Sequence, residues 1–355
     1  MWRRVGASPR VMRVVTGGVR LRFLSQPMPY KGKEIPVRAE DHAWLVEEVK
    51  ANLARGSWVQ LDAQPEFCAP AFVVSNSSGK RRVVIDLRYI NSHLPARPVR
   101  YENLRSFRSS LAPGDHMISL DLQSGYHHIG VHPSSRRFLG FALDGKYYQC
   151  AALPFGLSQA PSVFTKVMRA VVKMWRARGW RVLPYLDDFL FAFATDREAR
   201  AATVQIDEDL AALGLRRNPD KGCWVPTTAL SHLGMLVDTE KMSFRATAST
   251  ESRVRSLARD LRVLSSRRQR MVPASMLACF CGLAVSQLLA VPEARMMLRC
   301  LHDSLSTATT MRAKVRLSSA ALSELAWWRE SPWNEGAEVP LPRPTIRVAT
   351  DASDV

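Results

Sequence analysis

The chain has 355 residues, 50 Lys and Arg against 32 Asp and Glu, a formal net charge of +18 and 46% hydrophobic residues. That length and apolar content exclude global disorder and allow two or three packed subdomains. A positive excess of this size points to a polyanionic partner, either nucleic acid or an anionic membrane surface. The first 33 residues carry eight basic residues and no acid. This composition resembles a mitochondrial transit peptide, but it reads better as a basic arm that touches nucleic-acid backbone. Residues 40–55 have helical spacing, with Trp44, Leu45, Val49 and Leu53 on one side. The β-rich runs AFVVS and RRVVIDL flank the turn NSSGK, which predicts a hairpin with Lys80, Arg81 and Arg82 at its tip. Pro95 and Pro98 end this unit.

After Pro113-Gly114 a strand begins at HMISL and changes character at Asp121. A second hairpin, GFALDGKYYQCAAL, turns at Asp144-Gly145. The segment from Leu153 to Gly179 reads as a loop leading into a long helix. RVLPYLDDFLFAF then sets two adjacent acids between apolar strands. A helix over 197–213 follows, and GLRRNPDKGCWV leads to a strand pair around HLGMLVD. From about residue 250 the pattern is helical and Arg-rich. Val254, Leu257, Leu261 and Leu264 form an apolar stripe there, with Arg253, Arg255, Arg259 and Arg262 elsewhere on the helix. The apolar stretch Ser275 to Val291 carries Ser, Gly and Gln and is shorter than the ~20 apolar residues of a spanning helix. It reads as a buried helix, and a membrane partner is not expected. Six Cys without a CxxC pair suggest reduced thiols of an intracellular protein, nuclear or cytoplasmic. His127, His128 and His132 lack an HExxH frame and read as surface or core histidines.

The acids carry the chemistry. Asp121 ends the run MISL, and Asp187 and Asp188 lie between VLPYL and FLFAF. Like charges repel, so such a cluster is costly unless a cation bridges it. Two divalent ions ~3.5–4 Å apart, held by a few carboxylates, stabilise both the attacking and the leaving oxygen of a nucleotidyl transfer. Two acids at a turn also suit a merely solvated hairpin, and the pair alone does not separate these readings.

At these residues the chain resembles the reverse transcriptases. YLDD at Tyr185 to Asp188 looks like their signature tetrapeptide. VVIDLRYIN (83–91), SLDLQSGYHHI (119–129), LPFGLSQAPSVF (153–164), NPDKG (218–222) and HLG (232–234) stand in the family's order. The flavour is that of gypsy- and DIRS-type retroelements, while group II intron and telomerase patterns fit less well. The resemblance implies an α+β fold, the right-hand polymerase architecture of fingers, palm and thumb, with an antiparallel palm sheet. It implies fingers and palm over 34–245, a helical thumb and connection over 246–338, and the start of a ribonuclease H-like domain over 339–355.

The resemblance also implies an RNA-directed DNA polymerase. Asp121, Asp187 and Asp188 would hold two Mg²⁺ or Mn²⁺ ions. Lys80 and Arg82 would hold the incoming dNTP, and backbone N–H groups of Leu122, Gln123, Ser124, Gly125 and Tyr126 would cradle its phosphates. Tyr126 would be the gate against a ribose 2′-hydroxyl. Phe155 and Gly156 stand where retroviral enzymes carry Gln-Gly, which favours a retrotransposon. Tyr185, Lys221, His232, Leu233 and Gly234 would position the primer end. The Arg-rich helix would track an RNA template and DNA primer duplex. Asp351 matches the first metal-binding acid of a ribonuclease H, in a segment expected to be truncated and without that activity. The alternative is a catalytically inactive remnant that only binds nucleic acid.

Overall fold

The computed structural model describes residues 1–75, 79 and 81–338. Residues 76–78, Lys80 and Asp351 lie outside the described residues. The chain forms two compact units that are discontinuous in sequence. The first comprises Met1–Tyr101, Leu120–Phe189 and Val204–Gly222, the second Glu102–Ser119, Leu190–Thr203 and the chain from Cys223 onward.

The first unit is organised by a six-stranded mixed sheet. Its order is Tyr30–Lys31, Phe67–Ser75, Gly140–Leu143, Lys146–Cys150, Trp58–Leu61, with Arg81–Ile85 paired to Phe67–Ser75. The expected hairpin is present, its register running from Ala71 opposite Ile85 to Ser75 opposite Arg81. Phe67 to Ala71 are buried, as a run of apolar residues lying inside a sheet requires. The second hairpin turns at Asp144 and Gly145, both with positive φ, the geometry that Asp-Gly supplies most readily. The helix His42–Ala54 follows the expected span closely. Ala160–Ala177 is the long helix expected after the Leu153 loop, and it buries Phe164, Val167, Met168, Val171 and Trp175. The N-terminal residues, read as an arm, contain a helix, Pro9–Gly17, capped by Ser8, and Val5, Val11, Val19 and Leu21 are buried.

A four-stranded sheet in the order Cys223–Thr227, His116–Asp121, Asp188–Phe193, Arg181–Tyr185 carries the acids at its strand ends. Within the second unit, Ala229–His232, Met235–Asp238, Ser243–Ala246 and Ala337–Glu338 form an antiparallel sheet. The helices Ala248–Arg267, Ala274–Val285, Arg299–Ser306 and Ser319–Glu330 pack on one another there. On the first of these the buried face is Val254, Ala258, Leu261 and Ser265. The expected stripe is thus rotated toward two small residues, with Leu257 and Leu264 only half-buried, because small side chains let the neighbouring Ser319–Glu330 helix approach closely. Part of the Arg set is occupied internally. Arg255 pairs with Glu251 and donates to the carbonyls of Arg329 and Ser331. Among the described residues no helix is long and apolar enough to cross a membrane. All six cysteines are free.

Candidate active site

The site is built from chain ends of the first unit. Asp121 closes a strand buried from Met117 onward and is only 7% exposed. Its carbonyl accepts from the Asn218 N–H at 2.8 Å, and the next residue, Leu122, donates to the Asp187 carbonyl at 2.9 Å. These two bonds tie the strand end to the NPDKG loop on one side and to the DD hairpin on the other. The hairpin turns through Leu186, whose φ of 55° is left-handed. A branched L-residue there costs about 1 kcal/mol, and such strain is kept where the surrounding strands over-determine the turn. The neighbouring strands fix it through Leu183, Phe189, Leu190 and Phe191, all fully buried.

The electrostatics are those of crowded carboxylates. Asp188 is pushed up to about 6, first by burial and then by the negative charges of Asp121 and Asp187. Asp187 is also raised by burial. A hydrogen bond with its own backbone opposes the shift, Asp121 adds to it, and Lys221 and Arg82 oppose it. The Lys221 ammonium lies 2.9 Å from both carboxylate oxygens of Asp121. The chain therefore brings together Asp121, Asp187, Asp188, Lys221 and the field of Arg82. Among the described residues no three His, Cys, Asp or Glu groups are placed to hold a metal ion as they stand, and Lys221 supplies the counter-charge on Asp121.

The SGY loop lies against this cluster. Ser124 adopts a left-handed φ of 57°, and Gly125 touches Asp187: a Cβ on it would stand 3.1 Å from the Asp187 Cβ. Of the five backbone donors expected to cradle phosphates, three are bonded within the chain. Leu122 donates to Asp187, Gln123 to the Arg216 carbonyl, and Gly125 weakly to Leu122 at 3.4 Å. Tyr126 is half-buried, its ring 5.1 Å from Phe155 and 5.4 Å from Phe164. Burial, with Tyr101, Asp187 and Tyr185 nearby, pushes its phenol up to about 12. Phe155 is 52% exposed, and Gly156 has a φ of 89° with a would-be Cβ 3.3 Å from the Ile85 carbonyl. Tyr185 packs on Tyr101 at 5.3 Å. His232, Leu233 and Gly234 lie in the second unit, where Leu233 and Gly234, both with positive φ, join two strands.

Several bracing residues escaped the sequence reading. Asn91 donates to the Gly156 carbonyl at 2.8 Å and accepts from the Ser158 N–H at 2.8 Å, holding the Phe155–Gly156 loop; its position at the end of VVIDLRYIN was the available signal. Arg55 donates to Ser124 Oγ at 3.3 Å, and His128 Nε2 accepts from the Arg216 N–H at 3.1 Å. Arg81 is held at 2.8 Å by the buried Asp41, which leaves Arg82 as the described tip cation near Asp187.

Residues 74–237 match the family model described as reverse transcriptase (RNA-dependent DNA polymerase). The genome polyprotein of Petunia vein clearing virus is 32% identical over 129 residues, 35% of this chain and 6% of that protein. The Gag-Pro-Pol polyprotein of squirrel monkey retrovirus is 28% identical over 225 residues, 57% of this chain and 12% of that protein. Both relatives are thus far longer than the part this chain matches. Among solved structures, a foamy viral protease-reverse transcriptase in complex with double-stranded DNA superposes with a TM-score of 0.71 at 18% identity, over 93% of this chain and 53% of that one. The same viral enzyme in complex with an RNA/DNA hybrid gives 0.70 at 17% identity, over 93% of this chain and 40% of that one. The chain has the α+β right-hand polymerase fold.

Proposed function

We propose that this chain is an RNA-directed DNA polymerase that extends a DNA primer on an RNA template with dNTPs. The observation that carries the reading is the carboxylate cluster. Three acids at the strand ends and their turn lie together, and burial, then the charges of Asp121 and Asp187, lift Asp188 to about 6. A cluster with that excess of negative charge is stabilised by cations, and its all-oxygen donor set suits Mg²⁺ or Mn²⁺. Asp121, Asp187 and Asp188 would hold two such ions, which when bound activate the primer 3′-hydroxyl and stabilise the leaving pyrophosphate. The chain's own residues do the rest. Lys221 neutralises Asp121 and holds its carboxylate in one orientation. Arg82 offers a fixed positive fork to the triphosphate, with Lys80 beside it in sequence. Gly125 keeps the loop backbone against Asp187, and Tyr126, backed by Phe155 and Phe164, is the wall under the incoming sugar. Tyr185, Lys221 and the His232–Gly234 turn are the residues for primer placement.

The finer reading is a retrotransposon enzyme of gypsy or DIRS type, supported by Phe155-Gly156. Its fingers and palm are assigned to 34–245, its thumb and connection to 246–338, and the start of a ribonuclease H-like domain to 339–355. No observation favours the inactive-remnant alternative. The test is primer extension on poly(rA)/oligo(dT) with Mg²⁺ or Mn²⁺, using the parent and Asp187→Asn. Synthesis by the parent and its loss in a folded Asp187→Asn variant are expected. Equal extension by both proteins would remove Asp187 from the site.

A further inference from the structure

Six cations of the first unit line one cavity of about 740 Å³: Arg10 and Arg13 on the Pro9–Gly17 helix, Arg20, Arg22, Arg97, and Lys166 on the Ala160–Ala177 helix. Among the described residues no carboxylate lines that cavity. Several arginines elsewhere in the chain pair with acids, as in Arg38 and Arg81 with Asp41, Arg178 with Asp209, and Arg255 with Glu251. Here none of the six pairs with an acid among the described residues, and Arg20 lies 2.8 Å from His132 Nε2. Partial burial, and then the charges of Arg10, Arg97 and Arg169, lower the Lys166 ammonium below its usual range. Unpaired like charges around one concavity are costly, and a bound polyanion removes that cost.

The wall that carries Arg10 and Arg13 is fixed to the unit. Gly18 has φ +80°, and a Cβ on it would fall 2.6 Å from the His132 nitrogen. Val19 donates to Gly130 at 2.8 Å and accepts from His132 at 3.0 Å. Leu21 donates to Ser135 Oγ at 3.0 Å. The cations are therefore presented in a set geometry. Between them the cavity has an apolar floor of Val11, Val14, Val163 and Val167. A rim of cations over an apolar floor suits a ligand with phosphates on one side and flat organic faces on the other. Val11 is buried, and Val14 turns into the same cavity.

We propose that this cavity is a second nucleic-acid site, separate in its residues from the carboxylate cluster, that takes the phosphodiester backbone of a single strand. The choice of a strand over other phosphate-rich ligands rests on the template-copying reading; the preference for phosphates rests on the cavity itself. A volume of about 740 Å³ lies within the ~300–1,000 Å³ of small-ligand sites. It holds a short stretch of strand and excludes a duplex.

The test is fluorescence anisotropy on the full chain with a labelled, unstructured oligo(U), titrated with salt. The variant is the triple Arg10→Gln/Arg13→Gln/Lys166→Gln, all on exposed helix positions. Strand affinity should fall by about tenfold or more, and the slope of log K against log salt should shrink by about 2, since each lost contact on a single strand removes ~0.7. Binding of a blunt primer–template duplex should be unchanged. An unchanged slope for oligo(U), an equal loss for the blunt duplex, or a loss confined to phosphatidylserine vesicles would each overturn the proposal. Primer extension by the same preparations separates the two readings. A chain that makes no DNA but loses oligo(U) affinity in the triple variant keeps this site and removes the polymerase assignment.

Discussion

Gly125 offers the sharpest test of how the SGY loop serves the acids. In Gly125→Ala the new Cβ would meet the Asp187 Cβ at 3.1 Å, its Oδ2 at 3.3 Å and its Cγ at 3.4 Å. Ordinary carbon contacts lie at ~3.5–4.0 Å, so something must move by about half an ångström. Gly125 is not among the positive-φ glycines and lies in a short helical turn, Gly125–His128, so the backbone accepts alanine. The strain therefore falls on the Asp187 side chain. Overpacking of this kind costs ~1–3 kcal/mol of stability, which a fold of this size tolerates. Catalysis is less forgiving, since a displacement of about 1 Å costs ~100-fold; half of that implies a fall in kcat of about 10-fold. Single-nucleotide primer extension gives kcat and KM for the dNTP, and a thermal melt reports the fold. The expected result is a lower kcat with KM changed less than about threefold. A folded Gly125→Ala with parental kcat would refute the idea that this contact holds Asp187 in its working place.

Tyr126→Val should admit ribonucleotides, raising the ratio of their kcat/KM to that of deoxynucleotides; a general loss of activity with an unchanged ratio would make Tyr126 an ordinary core residue. Burial pushes His232 down to about 4 from an ordinary 6.5, so the fold favours its neutral form. The stability this contributes is complete above pH 6.5 and is lost as pH falls toward 4. Between pH 7.5 and 5 the loss is about 2 kcal/mol, and a His232→Leu variant should show a correspondingly smaller drop in denaturant midpoint; parallel curves for the two proteins would contradict this. Asp209 is 2% exposed and accepts from Trp175 Nε1 at 2.9 Å and from both terminal nitrogens of Arg178. Asp209→Ala should cost about 3 kcal/mol, the lower end for a broken buried pair because Arg178 keeps some contact with water, and urea melts that differ by less than 1 kcal/mol from the parent (roughly the worth of a surface pair) would count against it.

The sequence makes the acids legible and much of their support illegible, for a physical reason. Two acids between VLPYL and FLFAF stand out because buried strands rarely tolerate adjacent charges, and the ordered motifs around them then favour a cation site over a solvated turn. The hairpins at 71–85 and 140–150 are legible because alternation and Asp-Gly turns are local signals. The braces have no such signature. Asp41 reaches Arg81 across forty residues of sequence, and Arg55 reaches Ser124 across sixty-nine. Each is a polar residue of ordinary kind in an ordinary helix or its flank, and only the folded sheet brings the partners near. The N-terminal segment is the clearest case. Its eight cations suggest a free arm, yet the residues that dock it are Gly18 and the backbone donors of Val19 and Leu21. Backbone hydrogen bonds leave no trace in a hydropathy pattern, and a glycine at φ +80° is indistinguishable in sequence from its neighbour Gly17. Docking changes what the charges mean. On a free arm, Arg10 and Arg13 would be solvated individually and would contribute only to net attraction. Held opposite Lys166 and Arg97, they repel one another at fixed distances, and that repulsion can be relieved only by an anion that reaches several of them at once.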